Sequence, residues 1–74
     1  MSLDMQQIAR IVRATRKGQG LTQAELASIA GVGARFIVEL EKAKPTLSIE
    51  KVLHVFNALG IELSATTRSW NIDG

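Results

Sequence analysis

"LTQAELASIAGVGARFIVELEKAKP", residues 21–45, is the stretch on which the fold turns. Thr22 and Glu25 have the spacing of a capping box, in which a hydroxyl takes the amide three residues on and the carboxylate reaches back. Leu26, Ile29 and Ala30 then fall on one helical face until Gly31 ends it. "GVG", residues 31–33, is a tight connector. Beyond it Phe36, Ile37 and Leu40 define one apolar stripe, with Arg35, Glu39 and Lys42 outside it. Pro45 is the only proline in the chain, and it forbids helix past about residue 43. The stretch predicts a helix over 22–30, a short turn, and a second helix over 34–42.

Upstream, Met5, Ile8, Ile11 and Val12 repeat at helical spacing, with Asp4 placed to cap the start. Arg13, Arg16 and Lys17 sit in the last turn, where cations complement the helix dipole, and "GQG" stops a helix of residues 4–17. Downstream, Ser48 opens a helix in which Ile49, Val52, Leu53, Phe56 and Leu59 recur at three and four, and Gly60 ends it with Ile61 as apolar companion. The period then changes to two. Ile61, Leu63 and Ala65 alternate with Glu62, Ser64 and Thr66, which predicts a β-strand. A lone strand leaves its backbone groups unpaired, so this one is expected to pair with the same strand of a second copy or with a partner's edge. Trp70 in the tail "RSWNIDG" either covers the edge of such a sheet, docks a partner or dangles.

Composition narrows the function. At 74 residues the chain is near the lower size at which one apolar core suffices, so oligomerisation is expected to complete its stability. The absence of cysteine rules out disulfides and thiolate zinc sites, and a single histidine, His54, builds no metal cluster within one chain. His54 lies opposite the strongest apolar stripe of its helix with no nucleophile or acid pair around it, and Ser48 reads as a cap, so neither an enzyme nor a cofactor is expected. No apolar run approaches the roughly 20 residues that cross a bilayer, and "MSLDMQQIAR" lacks the pattern of a signal peptide. A soluble, cytoplasmic protein is expected. Residues 1–44 carry seven Lys and Arg against four Asp and Glu, and residues 45–74 two against three, so the basic side of the molecule is N-terminal and suits a polyanion.

Two short helices joined by a tight turn containing glycine, with a basic helix before them, match the helix-turn-helix plan, in which the second helix enters the major groove of DNA. By itself that plan also describes a small bundle that binds nothing. The residues of 21–45, in which Leu, Thr and Gln precede a helix, Gly and Val precede another, and Glu with basic residues closes it, closely resemble the phage repressor and Cro proteins and the wider Xre family of transcriptional regulators. The resemblance covers residues 5–60. It implies a mostly α, lambda-repressor-like domain of four to five helices over residues 1–60, and leaves residues 61–74 as a strand and tail for dimerisation or partner contact.

The same resemblance assigns roles. It implies a salt bridge between Arg16 and Glu41. Thr22 and Gln23 match family positions at a DNA phosphate, although Gln23 also reads as an exposed helix former. Gly33, Ala34, Arg35, Val38 and Glu39 occupy the family's groove-facing positions. Arg35 either reads guanine, through a fork that donates to O6 and N7, or contacts phosphate; Ala34 and Val38 offer contact to a thymine methyl. Glu39 either accepts from cytosine N4 or holds Arg35 in place. Gly33 either lets the backbone approach a phosphate or serves the dihedrals of the turn. Lys42 and Lys44 match the family's phosphate-contacting loop, which Arg13 and Lys17 extend, or are solvated charges. The family commonly has Gly between the two loop cations. This chain has Ala43, so the helix must end with another residue in the left-handed region or by a different cap.

"RFIVELEKAKPTLSIEKVLHVFNALGIEL", residues 35–63, looks particularly like the HipB-like antitoxins. That narrower resemblance implies a homodimer that represses its own operon at a palindromic operator and neutralises a HipA-type serine/threonine kinase toxin. Ile61, Leu63, Ala65 and Trp70 are the candidate dimer or partner residues. A stand-alone Xre-type repressor, or a module whose essential contact is protein through Trp70, are the alternatives.

Overall fold

The computed structural model describes residues 4–45 and 48–64, which form four helices: α1 (Met5–Gly18), α2 (Gln23–Ala30), α3 (Ala34–Glu41) and α4 (Ile49–Leu59). Three of them start on a short polar side chain that takes an otherwise orphaned amide. The Gln7 N–H donates to Asp4 at 2.9 Å and the Lys51 N–H to Ser48 at 3.4 Å. At α2 the capping box is complete, with the Glu25 N–H donating to the Thr22 hydroxyl at 3.0 Å and the Thr22 N–H to the Glu25 carboxylate at 2.8 Å. Those bonds from Thr22 hold the Glu25 carboxyl below its ordinary range. α3 begins at Gly33 with no side-chain cap.

All four helices stop in the same way. A residue in the left-handed region follows the last turn, one position past the helix in α2 and α4 and two past it in α1 and α3, and two backbone amides fold back onto carbonyls of that turn. The left-handed residues are Gly20 (φ 73°), Gly31 (φ 73°), Ala43 (φ 62°) and Gly60 (φ 76°). At α3 the Ala43 N–H reaches the Leu40 carbonyl at 3.0 Å and the Lys44 N–H the Glu39 carbonyl at 3.2 Å. Of the two endings open to α3, the left-handed one is taken, by an alanine. α1 runs one residue past Lys17, and Lys42 is the cap of α3 rather than its last residue.

α2 packs between α3 and α4, and α1 lies against both, closing a core of Val12, Leu26, Ala27, Ile37, Leu40, Val52, Val55, Phe56 and Leu59. Ile37 and Leu40 are fully buried and Phe36 is half-buried, as its stripe predicts. Elsewhere the buried face is rotated from the expected one. Ile11, Ile29, Ile49 and Leu53 are exposed, while Ala9, Ala27 and Val55 are buried. In α4 the inward series is Val52, Val55, Phe56 and Leu59, itself spaced at three and four, with Ile49 and Leu53 on its flank. In α2 the small Ala27 is buried in the core, and the larger Ile29 is turned out, 59% exposed.

Residues 61–64 form no strand. Ile61 packs half-buried on the core, but no second strand lies among the described residues to complete a ladder, so the expected strand has nothing to pair with in one chain. Ala65, Thr66 and Trp70 lie outside the described residues. No helix among the described residues is long and apolar enough to cross a membrane.

Candidate nucleic-acid interface

One buried carboxylate organises the junction of α1, α2 and α3. Arg16, near the end of α1, donates from Nε to Glu41 Oε2 at 2.7 Å and from Nη2 to Oε1 at 3.0 Å, a two-pronged pair. Its remaining nitrogen, Nη1, donates to the Leu21 carbonyl at 2.8 Å and so fixes the turn into α2. The side chains are only 10% and 5% exposed, and the Glu41 hydrogen bond pushes the Arg16 guanidinium above its ordinary pKa against the opposing effect of burial. The same Glu41 Oε1 also accepts from Gln23 Nε2 at 3.1 Å. Gln23 is therefore a half-buried member of the network rather than a free helix former. Its second amide N–H is left for another acceptor.

The groove-facing positions of α3 stand together on its outer side. Ala34 is exposed and Val38 half-buried, and the Arg35 side chain is 89% exposed. Glu39 lies between two cations: Arg35 Nε is 3.4 Å and Lys44 Nζ 3.1 Å from its Oε2. The hydrogen bond from Lys44, and then the charge of Lys44 and Arg35, hold the Glu39 carboxyl below its usual range. Lys44 is thus tied to a carboxylate, a contact its sequence spacing of five conceals. The helix ending explains it: the amide of Lys44 folds back to the Glu39 carbonyl and carries its side chain alongside.

Gly33 has φ −74° and ψ 150°, an extended conformation open to any residue, so the turn does not require a glycine there. Nor does packing, because a Cβ at Gly33 would meet nothing within 4 Å. Thr22, also expected at a phosphate, is exposed with its hydroxyl engaged in the cap. Lys42 is exposed and bounds a cleft of about 420 Å³ between α1 and α3, together with Arg13, Lys17, Gln23 and Val38. On another side of the molecule, Ile61 and Leu63 line a hollow with Leu53 and Phe56, and Leu63 is 50% exposed. Every buried side-chain nitrogen and oxygen among the described residues has a partner.

The geometry has close counterparts. Residues 12–65 match the family described as "Helix-turn-helix". An uncharacterized HTH-type transcriptional regulator, y4mF, from Sinorhizobium fredii is 55% identical over 56 residues, covering 76% of this chain and 74% of that protein. Among solved structures, the HipA-HipB-O2-O3 complex and the HipB-O4 20mer complex each contain a chain that superposes with a TM-score of 0.82 at 19% identity, over 93% of this chain and 97% of that one. A structure called MDT Protein matches equally well. At that identity the likeness is one of fold. The family match over most of the chain, the 55% relative and the two helices set about a three-residue turn agree, and the protein belongs to the Xre-type helix-turn-helix family of DNA-binding transcriptional regulators.

Proposed function

We propose that the protein is an operator-binding repressor that works as a homodimer and, as a HipB-like antitoxin, also binds a HipA-type kinase toxin. The observation that carries the DNA-binding part is the outer face of α3, where Ala34 and Arg35 stand clear of the fold while Ile37 and Leu40 anchor the same helix. Arg35 reads guanine, a pairing that contributes about 1–3 kcal/mol of discrimination, and Ala34 and Val38 touch thymine methyls. Glu39 steers Arg35 and accepts from cytosine where the sequence offers one. Thr22, Gln23, Gly33, Lys42 and Lys44 place the domain on phosphates, and for Gly33 the support is that neither its dihedrals nor its neighbours call for glycine.

The dimer forms through residues 61–66, with Ile61, Leu63 and Ala65 on the shared face, and places two recognition helices about a two-fold axis on a palindrome. Half-exposed Leu63 and exposed Leu53 beside it supply apolar surface for that contact. The toxin partner is supported by the sequence likeness over residues 35–63 and by the shared fold with HipB, which is seen with HipA in one solved complex. A stand-alone repressor is the second reading, favoured by the name of the 55% identical relative, which is that of a transcriptional regulator alone.

Selection of binding sites from random duplex DNA tests the first part. The protein is expected to enrich a palindrome, and Arg35→Ala to lose preference at one position of each half-site; an unchanged preferred sequence removes Arg35 as a base reader. Co-purification of a kinase that survives nuclease treatment supports the antitoxin reading, and its absence from cells that hold an adjacent kinase gene favours the stand-alone regulator.

A further inference from the structure

We infer that Lys44 is a positioning residue for base reading: by occupying the Glu39 carboxylate it keeps the fork of Arg35 free for guanine. The inference rests on the reading of Arg35 as the guanine contact and adds to it a residue outside the recognition helix, beyond any contact that Lys44 itself makes with the DNA backbone.

Two arginine–glutamate pairs in the molecule differ in kind. Arg16 grips Glu41 with two nitrogens on two oxygens, at 2.7 and 3.0 Å, and both side chains are buried. A guanidinium held in that way has its fork spent. Arg35 and Glu39 stand four residues apart on α3, a spacing that opens the same grip to them. Theirs is slack. The nearest approach is Arg35 Nε at 3.4 Å from Glu39 Oε2, longer than the roughly 2.7–2.9 Å of a strong charged hydrogen bond, and the Arg35 side chain is 89% exposed. The same Oε2 takes the Lys44 ammonium at the shorter distance of 3.1 Å. Of the two cations, Lys44 does more to hold the Glu39 carboxyl below its usual range.

The helix ending sets this preference. Left-handed Ala43 (φ 62°) turns the chain so that the Lys44 N–H bonds the Glu39 carbonyl at 3.2 Å, and the side chain of Lys44 follows it to the carboxylate. Backbone and side chain thus join the same two residues, and the turn has already met part of the cost of ordering them. Without the ammonium, Glu39 keeps one cation within reach and draws Arg35 into the two-pronged pair that Arg16 makes with Glu41. Arg35 must then break that pair, and leave a bare carboxylate beside the phosphates, before it can donate to O6 and N7. With Lys44 in place the carboxylate stays compensated when Arg35 swings away.

The test compares the affinities of the full-length protein for two duplexes. One is the palindrome enriched from random DNA; in the other, adenine replaces the guanine of each half-site whose preference Arg35→Ala loses. Loss of a backbone contact weakens both by the same factor and cancels in their ratio, whereas loss of positioning does not. The unaltered protein is expected to favour guanine by about fivefold to a hundredfold per half-site. Lys44→Met is expected to lower that ratio severalfold and Lys44→Arg to keep it. Once Glu39→Gln has removed the charge that would hold Arg35, Lys44→Met is expected to leave the ratio unchanged. Helical circular dichroism confirms that each variant is folded. An unchanged ratio in Lys44→Met alone, or an equal fall with and without Glu39→Gln, overturns the inference and leaves Arg35 a base reader. Arg35→Ala with the wild-type preference for guanine overturns both.

Discussion

Two glutamates two residues apart at the end of α3 have opposite assignments. Glu41 is buried and accepts three hydrogen bonds from two other helices, whereas Glu39 faces outward between Arg35 and Lys44. Removing Glu41 leaves the Arg16 guanidinium buried without its counter-charge, which costs about 3–5 kcal/mol. Glu41→Ala is therefore expected to unfold at a much lower temperature than Glu39→Ala in a thermal melt; equal melting temperatures would contradict the assignment. The Arg16–Glu41 pair is legible in sequence through the family pattern. The bond from Gln23 to Glu41 is not, because residues 18 apart in sequence meet only once the turn between the helices has set their angle. Lys44 shows the same limit: its spacing from Glu39 suggests no helical pairing, and only the left-handed Ala43 brings the two together.

At the scale of the element, helix starts and stops are what sequence encodes most directly here. Asp4, Thr22 with Glu25, and Ser48 are read as caps and act as caps, because capping depends on neighbours three residues away. Buried faces are less legible. Ile29 and Ile49 belong to apolar stripes yet face out, since short helices offer two overlapping stripes and neighbouring helices choose between them. The bare start of α3 leads to an expectation. Gly33→Ser adds a hydroxyl that can take the amide of the first turn and raises stability by a few tenths of a kcal/mol. It also fills the space through which a phosphate would approach, so denaturant midpoint and DNA affinity should move in opposite directions. At the other end, Ala43 occupies a region that disfavours a Cβ by about 1–2 kcal/mol, partly offset by the lower entropy of unfolded alanine. Ala43→Gly is expected to raise the melting temperature; a lower one would mean that the alanine methyl makes packing that outweighs its strain.

For the whole molecule, the four helices between Asp4 and Gly60 were readable, and the strand expected after Gly60 does not appear among the described residues. The alternation after Gly60 points to a strand, but a strand is a property of a pair, and one chain leaves residues 61–64 without a ladder. Deleting residues 61–74 tests the proposed dimer directly. The shortened protein is expected to sediment as a monomer and bind operator DNA weakly, and a truncated form that still dimerises and binds normally would place the dimer contact elsewhere.

The common ending of the four helices has a kinetic consequence. Each reversal of the chain is closed by two backbone bonds that span five residues or fewer, so no turn waits for a distant partner to define its direction. Among the described residues the long-range side-chain ties are few: Arg16 to Glu41 across 25 positions, Gln23 to Glu41 across 18, and Gln19 to the Leu59 carbonyl across 40. Local closure of this kind places the monomer among chains that collapse within about microseconds to milliseconds, before two copies can meet at cellular concentration. In a stopped-flow refolding experiment the helical signal should return at a rate independent of protein concentration, with any second-order phase confined to later association.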